Sequence, residues 1–136
     1  MGKCLPIEIL VVEDKAGFRE TLVDALQANC GSHDVKVLQA CHGEEAVSLI
    51  NERTILFLDL EMPVMDGYAV LEYLRREGIA PKGVIVMGSM AGDPMESARV
   101  RRDVETFYQG PLRYLPKPFG LDVLEKIMES FDGMLY

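Results

Sequence analysis

The sequence predicts an open, doubly wound α/β fold, a parallel sheet with helices on both faces, on three observations. Short apolar runs alternate with helix-like stretches in five successive pairs, the order that places parallel strands between helical crossovers. The first run, residues 7–12, is almost continuously Ile, Leu and Val, as befits a strand covered on both sides. Crossovers of this length are right-handed, so an open sheet sandwiched by helices is the economical arrangement. The 136 residues match a single core, which commonly matures at about 100 to 150 residues. We therefore expect one domain over 1–136 with its core in about 6–131.

Each element has its own signal. After the first strand, Phe18, Leu22 and Leu26 recur four apart and predict a helix over 16–28, closed by turn residues 29–34. Residues 35–40 form the second strand. Gly43 leads into a short helix over 44–52 that buries Ala46, Val47 and Ile50. Residues 55–58 are the third strand. Asp66 can cap the third helix, whose Val70, Leu71 and Leu74 share a face before Gly78 and Pro81 stop it. The fourth strand covers 84–87. Asp93, Pro94 and Glu96 then supply an N-cap, a first-turn proline and a capping-box acid for a helix ending at Gly110-Pro111, with Val100, Val104, Phe107 and Tyr108 as its apolar stripe. A short fifth strand over 114–116 and a last helix from 121 to about 131 complete the chain. There is no internal repeat, low-complexity segment or linker.

Bulk properties exclude several functions. Fourteen basic residues against 22 acidic ones give a formal charge of −8, which opposes the sequence-independent attraction that nucleic-acid binding needs. The apolar runs fall far short of the roughly 18 residues of a membrane span. Pro6 occupies the position where a myristoylation signal wants Ser or Thr, and no signal peptide is expected. Cys4, Cys30 and Cys41 are odd in number and lack CxxC spacing. They argue against a disulfide framework or a zinc site and for a reducing cytoplasm. His33 and His42 fall in predicted loops as exposed bystanders. The pairs Arg99/Asp103 and Arg101/Glu105 read as a solvated helix face.

Ligands of such a sheet bind at the carboxyl ends of its strands. Glu13 and Asp14 follow the first strand, Asp59 the third, Ser89 the fourth and Lys117 the fifth. A carboxylate at that edge, near other carboxylates and a lysine, can bind a divalent cation and accept a phosphoryl group. Together VVED, DLEMPVMDG, the hydroxyl residue Ser89, YLPKPF and the GEEA of the second helix resemble the receiver domain of two-component response regulators over nearly the whole chain.

That resemblance implies a flavodoxin-like sheet of five parallel strands in the order 2-1-3-4-5. It implies Mg²⁺ (or Mn²⁺) held by the side chains of Asp14 and Asp59, by Glu13 through water and by the backbone carbonyl of Glu61. Asp59 is then the nucleophile, phosphorylated by a sensor histidine kinase or a histidine phosphotransfer protein. Lys117 balances charge on the phosphoryl oxygens, and Ser89 and Tyr114 form the switch pair. Lys117-Pro118 is a candidate cis peptide that would aim the amine at the cleft. Such a domain is a phosphoacceptor with self-catalysed phosphorylation and dephosphorylation, not a turnover enzyme.

Three departures bear on the carry-over. Met90 stands where the family usually has a small residue, Glu61 adds an acid near the attack path, and the segment from Ser89 to Lys117 is several residues longer than is typical. A degenerate receiver acting only by interaction, or an aspartyl-nucleophile phosphatase, are the competing readings. The phosphatase wants DxDxT after its first strand, whereas Asp59-Leu60-Glu61-Met62-Pro63 follows the third. A flavin-binding protein fits worse, because the loop after the first strand lacks a hydroxyl-and-glycine phosphate cradle. No effector domain is visible, so the output partner is unassigned.

Overall fold

The computed structural model describes residues 7–30, 35–88 and 94–130, and the side chains of all of these but 29–30 and 94–97. Strands β1 (Ile7–Val12), β2 (Val35–Ala40), β3 (Thr54–Asp59), β4 (Gly83–Gly88) and β5 (Leu112–Pro116) form one sheet in the order β2-β1-β3-β4-β5. Every neighbouring pair is parallel. Between and after them run α1 (Ala16–Cys30), α2 (Gly43–Val47), α3 (Gly67–Glu77), α4 (Pro94–Phe107) and α5 (Leu121–Ser130). The predicted strand order and the five-fold alternation are both present.

Successive side chains of a strand point to opposite faces, and the sheet therefore feeds two cores. On one face Ile9, Val11, Ile55, Phe57, Ile85, Met87 and Leu115 pack with Leu22 and Leu26 of α1 and Leu124 and Met128 of α5. On the other, Leu10, Val12, Leu56, Leu58, Val84 and Val86 pack with Val70, Leu71 and Leu74 of α3 and Val104 of α4. Every residue of β3 and β4 is buried, which is why both runs lack polar alternation. Each fully buried Leu or Ile contributes about 1.5–3 kcal/mol relative to exposure.

Helix ends follow their sequence signals where the signals are strong. The Asp66 side chain accepts the Ala69 N–H at 2.9 Å and caps α3. Gly78, at φ 69°, closes the helix in the left-handed region that glycine adopts without strain.

The second helix departs from expectation. It covers Gly43–Val47 instead of 44–52, and His42, read as a bystander, is its N-cap, with Nδ1 accepting the Glu45 N–H at 3.4 Å. Side chains capture the backbone that would have continued it. Asn51 Oδ1 accepts the Arg53 N–H at 2.8 Å, and Thr54 Oγ1 accepts the Asn51 N–H at 3.0 Å. Helix α4 ends at Phe107, short of the predicted Gly110, and β5 starts two residues early because Leu112 pairs with Val84. The predicted cap Asp93 and the side chain of Glu96 lie outside the described residues.

Candidate functional site

The strand ladders continue past the strand ends and fix the site's backbone. The Glu13 N–H donates to the Ala40 carbonyl at 3.1 Å, Leu60 to Met87 at 3.2 Å and Lys117 to Gly88 at 2.8 Å. Glu13, Asp59 and Lys117 are thereby anchored at one edge of the sheet by three different strands. The Lys117-Pro118 peptide is cis, as the sequence suggested.

Carboxylate oxygens of Glu13, Asp14 and Asp59 all lie within 4.8 Å of one another. Glu13 is fully buried and Asp59 is 4% exposed. Lys117 Nζ donates to Glu13 Oε2 in a tight ion pair and stands 3.4 Å from Asp59 Oδ2. Two carboxylates thus share one ammonium, with that of Asp14 beside them. Two like charges 4.8 Å apart repel by about 3 kcal/mol at an effective dielectric of about 20. Burial raises the Glu13 pKa above the usual carboxylate range, and the charge of Asp59 adds to the rise. The hydrogen bonds from Lys117 and from the Lys15 N–H act in the opposite sense.

Asp14 completes the trio differently. Its Oδ1 is buried and has no hydrogen-bond partner, an arrangement that costs free energy unless something else satisfies it. A hard divalent cation such as Mg²⁺ or Mn²⁺ fits this donor set, which is all oxygen and carries excess negative charge. Glu61 enters through its backbone, its N–H donating to Asp59 Oδ1 at 3.1 Å while its side chain is exposed.

The loop after β3 is tightly held. A Cβ at Gly67 would lie 2.6 Å from the Asp59 carbonyl oxygen and 2.8 Å from the Leu60 Cα, so the glycine of the Asp-Gly pair allows α3 to start against the end of β3. Val64 has φ 69° and is 87% exposed, a costly conformation for a β-branched residue.

The structure adds residues that the sequence reading did not place at the site. Arg19 donates from Nη1 to the Glu13 carbonyl and from Nε to Gln39 Oε1, both at 2.9 Å, and ties α1 to the ends of β1 and β2. Phe18 presents its ring 4.5 Å from Lys117 Nζ and meets Phe119 edge-on at 5.4 Å. Phe18 had been read from its four-residue spacing as core. Its position one helical turn after Asp14 is the signal that puts it beside the cleft as well.

Tyr114 is half-buried on β5, with the Arg101 guanidinium of α4 stacked 4.3 Å from its ring centre. Its hydroxyl is 3.5 Å from the Arg101 carbonyl, and burial raises its pKa. Arg101 is thus engaged with an aromatic ring and is more than a solvated charge. Ser89 and Met90 lie outside the described residues.

A five-stranded 2-1-3-4-5 sheet carrying an acidic trio and a lysine at its carboxyl edge defines a receiver module. The response regulator receiver domain family matches residues 9–129, and the chain belongs to that family. It is similar to response regulator Rre1 of Synechocystis sp., with 29% identity over 130 residues, 92% of this chain and 51% of the relative. It is also 36% identical over 118 residues to protein-glutamate methylesterase/protein-glutamine glutaminase 5 of Myxococcus xanthus, covering 85% of this chain and 31% of that protein. The chain therefore spans about half of one relative and under a third of the other. A crystal structure of a response regulator from Colwellia psychrerythraea shares the fold, with a TM-score of 0.73, 21% identity and coverage of 93% and 97% of the two chains. Among the described residues no helix is long and apolar enough to cross a membrane.

Proposed function

We propose that this receiver accepts a phosphoryl group on Asp59 from a histidine kinase or a histidine phosphotransfer protein. One observation carries the reading: Asp59 shares Lys117 with the buried Glu13, beside an Asp14 oxygen that has no partner. Such a site is under-neutralised and ready for added positive charge. Asp14, Asp59 and the Glu61 backbone would hold Mg²⁺, with Glu13 acting through water. When bound, the cation offsets negative charge on the phosphoryl oxygens.

The chain's own groups do the rest. An Asp59 carboxylate oxygen forms the new bond to phosphorus as the bond from phosphorus to the donor imidazole nitrogen breaks, giving an acyl phosphate and a free histidine. Lys117 compensates charge on the transferred group, and Glu13 and the Phe18 ring hold the ammonium in place. Hydrolysis of the acyl phosphate restores Asp59, so the chemistry is stoichiometric signalling and not turnover. In this reading Ser89 joins the phosphoryl group, and Tyr114, stacked under Arg101, carries the change to α4. Output then passes to a partner or to an effector domain, as the greater length of the relatives suggests.

A small phosphodonor with Mg²⁺, followed by intact-mass measurement, tests the reading. The wild type should gain one phosphoryl group and Asp59→Asn none. Labelling that persists in the mutant refutes Asp59 as acceptor, no labelling of the wild type favours the degenerate receiver, and many turnovers per protein favour the phosphatase.

A further inference from the structure

We propose that Cys41, His42 and Glu45 form a second, softer metal site that takes a zinc-class transition ion, separate from the acidic trio. The absence of CxxC spacing excludes a zinc finger, but it leaves open a three-ligand set drawn from positions i, i+1 and i+4. The turn after β2 and the first turn of α2 supply that set. One ligand atom from each of the three residues lies within 4.8 Å of the others, and Cys41 Sγ is already 3.1 Å from Glu45 Oε2. Ligands at tetrahedral zinc, with bonds of about 2.0–2.3 Å, stand about 3.3–3.7 Å apart, so the sulfur-carboxylate edge is in place and the imidazole has a short distance to travel.

The chemistry differs from that of the Asp59 cleft. A thiolate, an imidazole and a carboxylate favour zinc, cobalt or copper over magnesium, which prefers oxygen alone. Cys41 and His42 are half-buried and Glu45 is exposed, so the fourth position faces solvent and can take water or an outside ligand. Engaging His42 displaces only a long cap bond of 3.4 Å to the Glu45 N–H, which is a small loss. Glu44 and Glu45 in the first turn offset the positive end of the five-residue α2. Arg19, the nearby cation, is committed at 2.9 Å to the Glu13 carbonyl and to Gln39. In the free protein the Cys41 thiol donates to Glu45 Oε2, so an arriving cation takes the place of that proton between sulfur and carboxylate.

Titration with Co²⁺ in excess Mg²⁺, which keeps the hard cleft occupied, reads this site through thiolate-to-cobalt charge-transfer absorption. The wild type should bind one equivalent, and Zn²⁺ should displace it. Cys41→Ser should abolish the absorption while Cys4 and Cys30 remain as internal controls. Glu45→Gln and His42→Asn should each weaken binding at least about tenfold, and the asparagine retains an acceptor to cap α2, so circular dichroism can confirm an unchanged fold. Absorption that survives Cys41→Ser, unchanged affinity in His42→Asn, or no cobalt signal from folded wild type overturns the proposal.

Discussion

Glu8 lies near the start of strand β1 and Glu13 just past its end, and the two are partnered in different ways. At the lower end, Glu8 receives Asn51 Nδ2 at 3.0 Å and Arg53 Nη2 at 3.5 Å, both from the turn that leads into β3. The Glu8 carboxylate meets one guanidinium, with a neutral amide in support; Arg53 also stands 4.0 Å from the exposed Glu52 carboxylate, and its Nε is buried without a partner. At the upper end, Glu13 is fully buried and shares a single lysine with Asp59, beside an Asp14 oxygen that has no partner. Both oxygens of Glu8 are thus partnered within the protein. The upper arrangement holds three acids against one lysine, an excess of negative charge that a bound cation or a proton on Glu13 would offset.

This contrast can be broken most severely at Lys117. Lys117→Ala leaves Glu13 buried without its ammonium, and urea unfolding in a divalent-free buffer should show a loss on the order of 3 kcal/mol. A loss under about 0.5 kcal/mol, the range of ordinary surface substitutions, would mean that the pair is energetically idle. The second test adds charge. Mg²⁺ at one hundred times its dissociation constant should raise wild-type stability by about 2.7 kcal/mol, and Asp14→Asn should lose most of that gain. Equal stabilisation of both proteins would place the cation elsewhere.

A smaller effect is expected at the lower end. Glu8→Ala should cost about 1 kcal/mol, because its partners are partly exposed and can turn to water, and Mg²⁺ should neither worsen nor repair it. A magnesium-dependent loss would contradict the separation of the two ends.

The last test uses Tyr108, which follows α4 near the start of β5. Its hydroxyl is buried with no hydrogen-bond partner, and burial raises its pKa from 10.0 to about 12. The fold therefore favours the neutral phenol. That contribution is fully present below pH 10 and is lost as pH rises from 10 through about 12. Alkaline unfolding followed by circular dichroism should show the loss in wild type and less of it in Tyr108→Phe. Identical alkaline profiles would mean that the phenol does not titrate with folding.

Legibility in the sequence followed the strength of the local signal. The runs at Ile9 and Ile55 could be read because a strand buried on both faces has no polar interruption, and Asp66 and Gly78 because caps are short-range chemistry. Helix α2 was over-extended because the competing bonds of Asn51 and Thr54 belong to a turn that hydrophobic spacing does not register. At the site, Glu13, Asp14, Asp59 and Lys117 were placed by their positions at strand ends, and the structure brings all four together. Arg19 and Phe18 were missed in that role because they reach the cleft from a helix, where spacing reports the buried face and not what a long side chain or ring touches at its rim.

The position of Asp59 within the sheet has a mechanical consequence. It ends the middle strand, with hydrogen-bonded neighbours on both sides and Gly67 packed against its carbonyl oxygen. Tyr114 and Lys117, by contrast, hang from β5, the rim strand with one neighbour. Asp59 is therefore braced from both sides, while Tyr114 and Lys117 belong to a strand braced from one.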